Sequence, residues 1–315
     1  MTDAEWQVIR AALPVPAWLE GRGGRPEGYC HRVMLDAVRY VVDNGVRWAN
    51  LPRDFPPYRR VHAFARRWQI TGLLAELHGR LRDTVRAKEG RTPDPTAAIV
   101  DSQSVRAAAN IPRSTSGWDV GKKVGGRKRH LLVDCLGLVL AVAVTAASVQ
   151  DRDAAVPLLE RLRQLYFSIR LVWADGAYTG TLVAWARQKL QLTVDIVKRT
   201  DHRPGFEVLP RRWVVEPTLS WLFHSRRLVR DYEASRDSSA WADPSAACTR
   251  SASSCSRATS SRTFISRASS NPSTDGMTTS ANDTSRRTTR TNPLHKGVHA
   301  PPASIKGSLR KGDGF

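Results

Sequence analysis

The stretch Ala97-Ala98-Ile99-Val100-Asp101-Ser102-Gln103-Ser104-Val105 decides the fold of this chain, because a short apolar run in it leads directly to one acid. Such a run is typical of a buried strand, and we predict that this strand ends at Asp101 and presents its carboxylate at the tip. The run Ile169 to Ala174 leads to Asp175 in the same way. A third acid, Glu216, stands ahead of a very basic stretch that we predict to be helical. The sequence therefore predicts two strands and one helix that each present a carboxylate.

The chain is strongly basic. Its 315 residues include 49 Lys and Arg against 29 Asp and Glu, so the net charge is +20. Because neutralising phosphates is the main source of non-specific affinity for nucleic acids, this excess favours a polyanionic partner such as DNA. A basic solvated surface, or a ribosomal-type protein, is the alternative.

The cysteines indicate neither a zinc knuckle nor a disulfide framework, since Cys30, Cys135, Cys248 and Cys255 form no Cys-X-X-Cys pair. Scattered thiols are typical of a reducing compartment, so we expect a cytoplasmic, nucleoid-associated protein. No apolar run approaches the roughly 20 residues that a membrane-spanning helix needs. We therefore expect no membrane partner.

Residues 1–90 carry the spacing of apolar side chains that is typical of helices. Thr2 and Glu5 match a capping box at the start of the first one. A later predicted helix, Tyr58 to Trp68, carries arginines around an apolar stripe. Short helices of this kind, joined by a tight turn, predict a helix-turn-helix-like DNA-binding domain. A plain helical bundle with a charged outer face is the alternative. Residues 91–95 are predicted to be a linker.

Residues 96–233 change to strands that alternate with helices, in the order strand, hairpin, helix, strand, helix, strand and helix. A mixed sheet that begins with antiparallel strands and continues with helix-separated ones is the ribonuclease-H-like α/β arrangement. In it Asp101 and Asp175 would meet at the sheet centre. The basic, glycine-rich segment Gly121 to His130 is predicted to be an excursion, with the next strand beginning at His130.

Residues 234–315 differ in composition from the rest of the chain. Ser, Thr, Arg and Pro dominate, and large apolar residues fall to roughly a tenth, too few to bury a core. A mixture of this kind without periodicity is also what a GC-rich gene yields when it is read out of frame. We predict that this tail is disordered or the product of a frameshift near residue 234.

The three acids favour metal-dependent chemistry on phosphate esters. Hard divalent cations prefer carboxylate oxygens, and two ions about 4 Å apart can activate the attacking oxygen and stabilise the leaving one. Other acids have structural interpretations, since Asp134 leads into a hairpin turn and Asp151 or Asp153 would cap a helix. The predicted metal ligands and catalytic residues are Asp101, Asp175 and Glu216.

Pro217 limits where the last helix can begin. Proline inside a helix costs about 3 kcal/mol, but it is tolerated at the first position. We therefore predict that this helix starts at Glu216–Pro217, with Glu216 at its N-terminal end.

Several segments within residues 1–233 resemble DDE-type bacterial insertion-sequence transposases of the insertion sequence five family. Asp101-Ser102-Gln103-Ser104-Val105 resembles the first catalytic strand, and Gly126-Arg127-Lys128-Arg129-His130 the basic motif after it. Ala174-Asp175-Gly176-Ala177-Tyr178 resembles the second catalytic strand, and Arg212-Trp213-Val214-Val215-Glu216 the third motif. These motifs are specific together, although each is weak alone.

The resemblance implies a transposase with a ribonuclease-H-like core, in which the three acids hold two Mg²⁺ or Mn²⁺ ions. Cleavage at the terminal inverted repeats of the element would free 3′-hydroxyls that attack target DNA, within a homo-oligomer. Tyr178 and Arg212 would support the site near the phosphates. The residues predicted to contact double-stranded DNA are Arg59, Arg60, Arg66, Arg67, Lys122, Lys123, Arg127, Lys128, Arg129, Arg212, Arg226 and Arg227.

The chain departs from this family at two places. Pro217 stands where the family usually has arginine, and the serine-rich tail replaces an apolar helix that packs on the core. Two alternative functions follow. One is a non-catalytic DNA-binding remnant of a transposase, and the other is a ribonuclease-H-like nuclease without strand transfer.

Overall fold

Helices come first in the computed structural model, which describes residues 1–16, 28–197 and 212–233. The capping box at Thr2 and Glu5 is present, so that prediction is confirmed. Gly45, in the left-handed conformation, ends the second of the described helices. These helices are α1 (Asp3–Ala12), α2 (His31–Asn44), α3 (Tyr58–Ile70) and α4 (Leu73–Lys88).

One mixed sheet follows the helices. Its strands are β1 (Ala97–Arg106), β2 (Gly117–Asp119), β3 (Val124–Val133), β4 (Val139–Ala146), β5 (Leu171–Ala174) and β6 (Thr193–Ile196). The main order across the sheet is β4-β3-β1-β5-β6, and β2 pairs with the first residues of β3. β3 pairs antiparallel with β1 and β4, whereas β5 runs parallel to β1 and β6. This is the ribonuclease-H-like arrangement, and the predicted fold class is confirmed.

The remaining helices connect the later strands or close the described part of the chain. After β4 comes α5 (Asp151–Leu165), and after β5 a 3-10 turn (Gly176–Tyr178) leads into α6 (Thr181–Leu190). Another 3-10 turn (Arg212–Val214) leads into α7 (Val215–Leu222) and then α8 (Arg226–Val229). No described helix is long and apolar enough to cross a membrane.

The alternation of β1 distributes its side chains to the two faces of the sheet. Ala98 and Val100 pack with residues of α5 and α6 on one face. Ile99 packs on the other face with α7 and with the N-terminal helices, including Val38 and Phe64. The helices of residues 1–90 and the sheet of residues 96–233 thus share one hydrophobic core.

The segment Gly121 to His130 is mostly strand, so its prediction as an excursion is wrong. β3 begins at Val124 and pairs with β1 from Gly126 onward. Polar side chains in this part of β3 bond to buried groups of the protein. A strand can therefore form here although the segment has few apolar residues. The tail predicted to be disordered or frameshifted, residues 234–315, lies outside the described residues.

Gly126 allows β1 and β3 to approach closely. A Cβ atom at this position would lie 2.1 Å from the Val105 carbonyl oxygen and 2.6 Å from the Ala107 nitrogen. Both atoms belong to the backbone, so neither can move without breaking strand pairing. We expect Gly126→Ala to lower the free energy of unfolding by about 1–3 kcal/mol or more, measured by urea denaturation of the full chain.

The neighbouring glycine provides the matched control. A Cβ atom at Gly125 would lie 3.4 Å from Cε3 of Trp118, which is close to ordinary contact with a side chain. Gly125→Ala is therefore expected to change stability much less than Gly126→Ala. Equal destabilisation by the two substitutions would show that the close approach of the neighbouring backbone is not what requires glycine at position 126.

Candidate active site

Asp101 and Asp175 occupy matching positions on adjacent parallel strands. The last paired residues of β1 and β5 are Ile99 and Trp173. Continuing this register by two residues brings Asp101 level with Asp175. Ile99 and Trp173 both pack into the core that α7 covers on one face of the sheet. Side chains two residues apart on a strand point to the same face, so we assign Asp101 and Asp175 to the α7 face as well. The backbone of Asp175 is extended, with φ −87° and ψ −179°, so the alternation continues to it.

Backbone N–H groups orient both carboxylates. The Ser102 N–H donates to Asp101 Oδ1 at 2.7 Å, and the Ala177 N–H donates to Asp175 Oδ1 at 2.9 Å. Asp175 also caps the 3-10 turn that follows β5. Both aspartates are partly buried. Each carboxylate therefore has a preferred orientation and a side that water or a ligand can approach.

Glu216 is carried by α7, which covers this face of the sheet. Val215, Leu219 and Leu222 of α7 pack into the same core as Ile99. The Thr218 hydroxyl donates to the Gly137 carbonyl at 2.7 Å in the interior and attaches α7 to the β3–β4 turn. Glu216 itself is partly buried. The third acid is thus placed on the same face of the sheet as the two aspartates.

The predicted start of this helix is off by one residue, since α7 begins at Val215. Glu216 is its second residue and Pro217 its third. Pro217 therefore lies in the first turn. Backbone N–H groups in the first turn have no acceptor within the helix, so the lack of one at proline costs no helical hydrogen bond. The proline that distinguishes this chain from the family that it resembles does not break α7.

The three predicted ligands do not form a ready metal cluster in this structure. Within residues 1–16, 28–197 and 212–233, no group of three or more His, Cys, Asp or Glu side chains is arranged to hold a metal ion. Asp101 and Asp175 are brought level by strand pairing, whereas Glu216 shares only the face of the sheet with them.

Tyr178 is buried in the core on the α5 side of the sheet and does not lie at the surface. Its side chain is only 1% exposed. Burial raises its pKa well above the ordinary value, and the negative charges of Asp151, Asp101 and Asp175 raise the pKa further. A hydroxyl enclosed in this way cannot reach DNA, so the implied position of Tyr178 near the phosphates needs correction.

Four of the basic residues predicted to contact DNA are buried instead, namely Arg127, Lys128, Arg129 and Arg227. Arg127 donates to Asp231 Oδ2 at 2.9 Å, and Arg227 donates to Glu233 Oε1 at 2.8 Å. Arg129 donates to the Gln103 side chain at 3.1 Å, and Lys128 donates to the Val149 carbonyl at 3.0 Å. These cations hold the fold together, because each is enclosed by its protein partners.

The other predicted DNA contacts are exposed, except Arg212, whose side chain lies outside the described part of the structure. The exposed ones are Arg59, Arg60, Arg66, Arg67, Lys122, Lys123 and Arg226. The arginines of α3 lie on the sides of the helix that are open to solvent, whereas Val61, Phe64 and Trp68 face the core. This arrangement keeps α3 anchored and its cationic side open to solvent.

Asp151 and His130 belong to a group of polar side chains on the α5 face of the sheet that sequence analysis did not predict. The expected capping position of Asp151 is taken by Gln150, which precedes the first residue of α5. The Asp151 carboxylate instead lies 3.2 Å from the Lys128 ammonium and 3.9 Å from His130 Nδ1. The alternation along β3 could have indicated that Lys128 and His130 share one face, but no local pattern links them to Asp151.

Comparison with known proteins gives two family matches. Residues 92–242 match the family described as "Transposase DDE domain". Residues 1–78 match the family described as "Putative transposase of IS4/5 family (DUF4096)". The two matches divide the chain near the predicted linker.

Individual relatives support the same grouping. The chain is 32% identical over 120 residues to the Burkholderia cepacia protein named "Putative transposase for insertion sequence element IS402", covering 36% of this chain and 56% of that relative. It is 31% identical over 120 residues to "Uncharacterized protein y4sN" of Sinorhizobium fredii, covering 37% of this chain and 86% of that relative. The chain thus spans little more than half of the first of these proteins.

A solved structure has a loose overall likeness to the chain. It is titled "Cryo-EM structure of piggyBac transposase synaptic complex with hairpin DNA (SNHP)", with 12% sequence identity and a TM-score of 0.28. The likeness covers 64% of this chain and 48% of that chain.

Proposed function

This chain belongs to the DDE-type insertion-sequence transposases, and from that membership we propose that it cleaves and joins DNA at the ends of an insertion sequence. The reaction would hydrolyse phosphodiester bonds at the terminal inverted repeats and transfer the freed 3′-hydroxyls to target DNA. The observation that supports this most directly is the parallel pairing of β1 with β5, whose register, continued by two residues, brings Asp101 level with Asp175.

A divalent cation fits the two aspartates by donor chemistry. Carboxylate oxygens are the ligands that Mg²⁺ and Mn²⁺ prefer, and one or two of them, with waters and phosphate, suffice for Mg²⁺. Asp101 and Asp175 would hold the ion, and Glu216 would contribute from α7. When bound, such ions activate the attacking oxygen and stabilise the leaving one. The N–H groups of Ser102 and Ala177 would keep the aspartates in position throughout.

Binding of double-stranded DNA is assigned to the exposed cations. Because phosphate contacts position a protein on the duplex without reading its sequence, the arginines of α3, Lys122, Lys123 and Arg226 would orient the DNA relative to the acids. We further propose that the active form on DNA is a homo-oligomer, since an element has two ends that are cut together.

The arginines of α3 form two pairs that are seven residues apart, Arg59 with Arg66 and Arg60 with Arg67, so each pair lies on one side of the helix. We expect the double substitution Arg59→Ala with Arg66→Ala to weaken DNA binding at all sequences. The slope of log K against log salt should fall by about 0.9 for each phosphate that the variant no longer neutralises. Fluorescence anisotropy over a salt series measures both quantities.

The matched control for α3 is Arg161→Ala, which removes an exposed arginine from α5. It should leave the salt slope unchanged. If it lowers the slope as much as the α3 variant does, general surface charge accounts for binding and α3 has no particular role.

The activity is tested with DNA that carries the element's own ends, taken from the sequences that flank the gene. The expected result is Mg²⁺-dependent strand cleavage followed by joined products. Cleavage without joining would indicate a nuclease without strand transfer. Binding without cleavage, in the presence of either Mg²⁺ or Mn²⁺, would indicate a non-catalytic remnant.

A further inference from the structure

The backbone of Ser102 lies where β1 and β5 separate. β5 pairs with only the first three residues of β1, whereas β3 pairs with β1 as far as Arg106. Alternate residues of an antiparallel strand bond to the partner, so the residues between them direct their N–H and C=O groups to the opposite edge. At this opposite edge the Thr96 carbonyl accepts from the Arg170 N–H at 3.0 Å, and the Arg106 carbonyl accepts from the Asp231 N–H at 2.9 Å. Ser102 follows the same alternation, so its N–H and C=O groups face the edge that β5 no longer covers.

Two charged side chains bond to the Ser102 backbone at this edge. The Ser102 N–H donates to Asp101 Oδ1 at 2.7 Å, and Lys122 Nζ donates to the Ser102 carbonyl at 3.2 Å. Asp175 belongs to the same edge, since the continued register of β1 and β5 brings it level with Asp101. The Lys122 ammonium is therefore held on the β5 side of β1, one residue beyond the first of the two aspartates.

Asp119 fixes the turn from which Lys122 reaches β1. Asp119 pairs with Val124 at the end of the β2–β3 hairpin, and its Oδ1 accepts from the Lys122 N–H at 3.0 Å. Its Oδ2 accepts from the hydroxyl of Ser104, a residue of β1, at 2.5 Å. Asp119 is only 7% exposed. One buried carboxylate thus ties the turn to β1 and sets the reach of Lys122.

The Lys122 side chain remains open to solvent, unlike Lys128 and Arg129 of the adjacent strand, which are buried. An ammonium carries three N–H groups, and the bond to Ser102 uses one of them. A phosphate oxygen is a stronger acceptor for such a group than a neutral carbonyl. Lys122 can therefore bind a phosphate beside Asp101 while its bond to β1 is kept.

We propose that Lys122 contacts the reacting phosphate of the DNA. Its ammonium would bind a non-bridging oxygen of the phosphodiester placed at Asp101 and Asp175, and would stabilise the negative charge that develops there during cleavage. Lys122 would exchange no proton in this role. The inference rests on the proposed function, because that function assigns the ion and the reacting phosphate to the two aspartates. It separates Lys122 from the other exposed cations, which orient the duplex at a distance from the reaction.

The first test is the single-turnover rate of cleavage at saturating end-bearing DNA and Mg²⁺. Loss of one donor to a developing oxyanion typically costs about a hundredfold or more in rate, and we expect a loss of this size for Lys122→Gln. Lys122→Arg keeps the positive charge and the ability to bind phosphate, so it should recover most of the lost rate.

The second test is Mn²⁺ binding to the full-length chain without DNA, measured from the electron paramagnetic resonance signal of unbound Mn²⁺. An ammonium beside the ion repels it, so Lys122→Gln should bind Mn²⁺ about threefold or more tightly than the unsubstituted chain. Lys122→Arg should not change the affinity. Slower cleavage together with tighter metal binding is the signature of a local charge, because disruption of the turn would weaken both.

Two lysines provide the comparisons. Lys123→Gln removes the neighbouring exposed cation of the same turn, and it should lose far less of the saturated rate than Lys122→Gln. Lys189→Gln removes an exposed lysine from α6 and should match the unsubstituted chain in cleavage and in Mn²⁺ affinity. Thermal unfolding followed by circular dichroism verifies that each variant is folded.

Several results would overturn the proposal. Equal losses of rate in Lys122→Gln and Lys123→Gln would reduce Lys122 to a general DNA contact. Unchanged or weaker Mn²⁺ binding in Lys122→Gln would show that its ammonium does not lie beside the ion. A rate for Lys122→Arg as low as that for Lys122→Gln would exclude a role for the charge. If the unsubstituted chain binds Mn²⁺ but cleaves no DNA, the proposed function fails, and tighter Mn²⁺ binding by Lys122→Gln still supports the placement of Lys122.

Discussion

Replacing Asp101 with asparagine is expected to lower the rate of DNA strand cleavage by about a thousandfold or more, which corresponds to about 4 kcal/mol of transition-state stabilisation. Asparagine keeps the size of the side chain and can still accept the Ser102 N–H group. It removes the negative charge that a divalent cation needs at this position. The measurement is the single-turnover rate on end-bearing DNA at saturating Mg²⁺.

The control for Asp101 is Asp94→Asn, because Asp94 is an exposed acid shortly before β1. This variant should cleave at the rate of the unsubstituted chain. Circular dichroism should show the same fold for both variants. If Asp101→Asn cleaves at the normal rate, Asp101 is not a metal ligand and the assignment of the site is wrong.

Replacing Arg86 with methionine is expected to lower the free energy of unfolding by about 3–5 kcal/mol. Arg86 is 3% exposed and pairs with Asp134, which is 0% exposed. Asp134 also accepts the N–H groups of Leu136 and Leu138 at 2.9 Å each. Without the guanidinium, the carboxylate stays in the core as a charge without its counterion. Urea denaturation of the full chain measures the destabilisation.

The same helix provides a control for Arg86. Arg80 pairs with Glu76 at 2.5 Å, but 47% of its side chain is exposed to solvent. Exposed ion pairs contribute about 0.2–1 kcal/mol, so Arg80→Met should have a small effect. Similar destabilisation by Arg80→Met and Arg86→Met would mean that burial of the Asp134 pair is not what makes Arg86 important.

Local patterns predicted much of the architecture. The capping box at Thr2 and Glu5 depends on residues three apart, and it forms as expected. The alternation of strands and helices was sufficient to predict the order of the main elements and the pairing of the strands that lead to Asp101 and Asp175, because parallel strands need crossover connections and antiparallel ones do not. The start of α7 was off by one residue, since Pro217 is tolerated anywhere in the first turn.

Burial of charged side chains could not be predicted from local patterns. Lys128 looked like a DNA contact because it lies in a run of basic residues, and Arg127 looked the same. Arg127 instead bonds to Asp231, which is 104 residues away in the chain. Charge pattern predicts where cations occur, but their exposure depends on acids that the fold brings to them from distant segments. The excursion predicted at Gly121 to His130 was wrong for the same reason.

The sequence by itself determined the ribonuclease-H-like class and the two strands that lead to Asp101 and Asp175, because strand periodicity depends on neighbours in the chain. The expected strand end at Asp101 is wrong, since β1 stays paired with β3 as far as Arg106. Only the tertiary structure decided how the two aspartates are supported. Pairing of β1 with β5 brings the two aspartates level, and packing of α7 places Glu216 on their face. Packing of α5 against the turn after β5 buries Tyr178. Such contacts join residues far apart in the chain, so they exist only after the sheet has formed and its two faces have been covered.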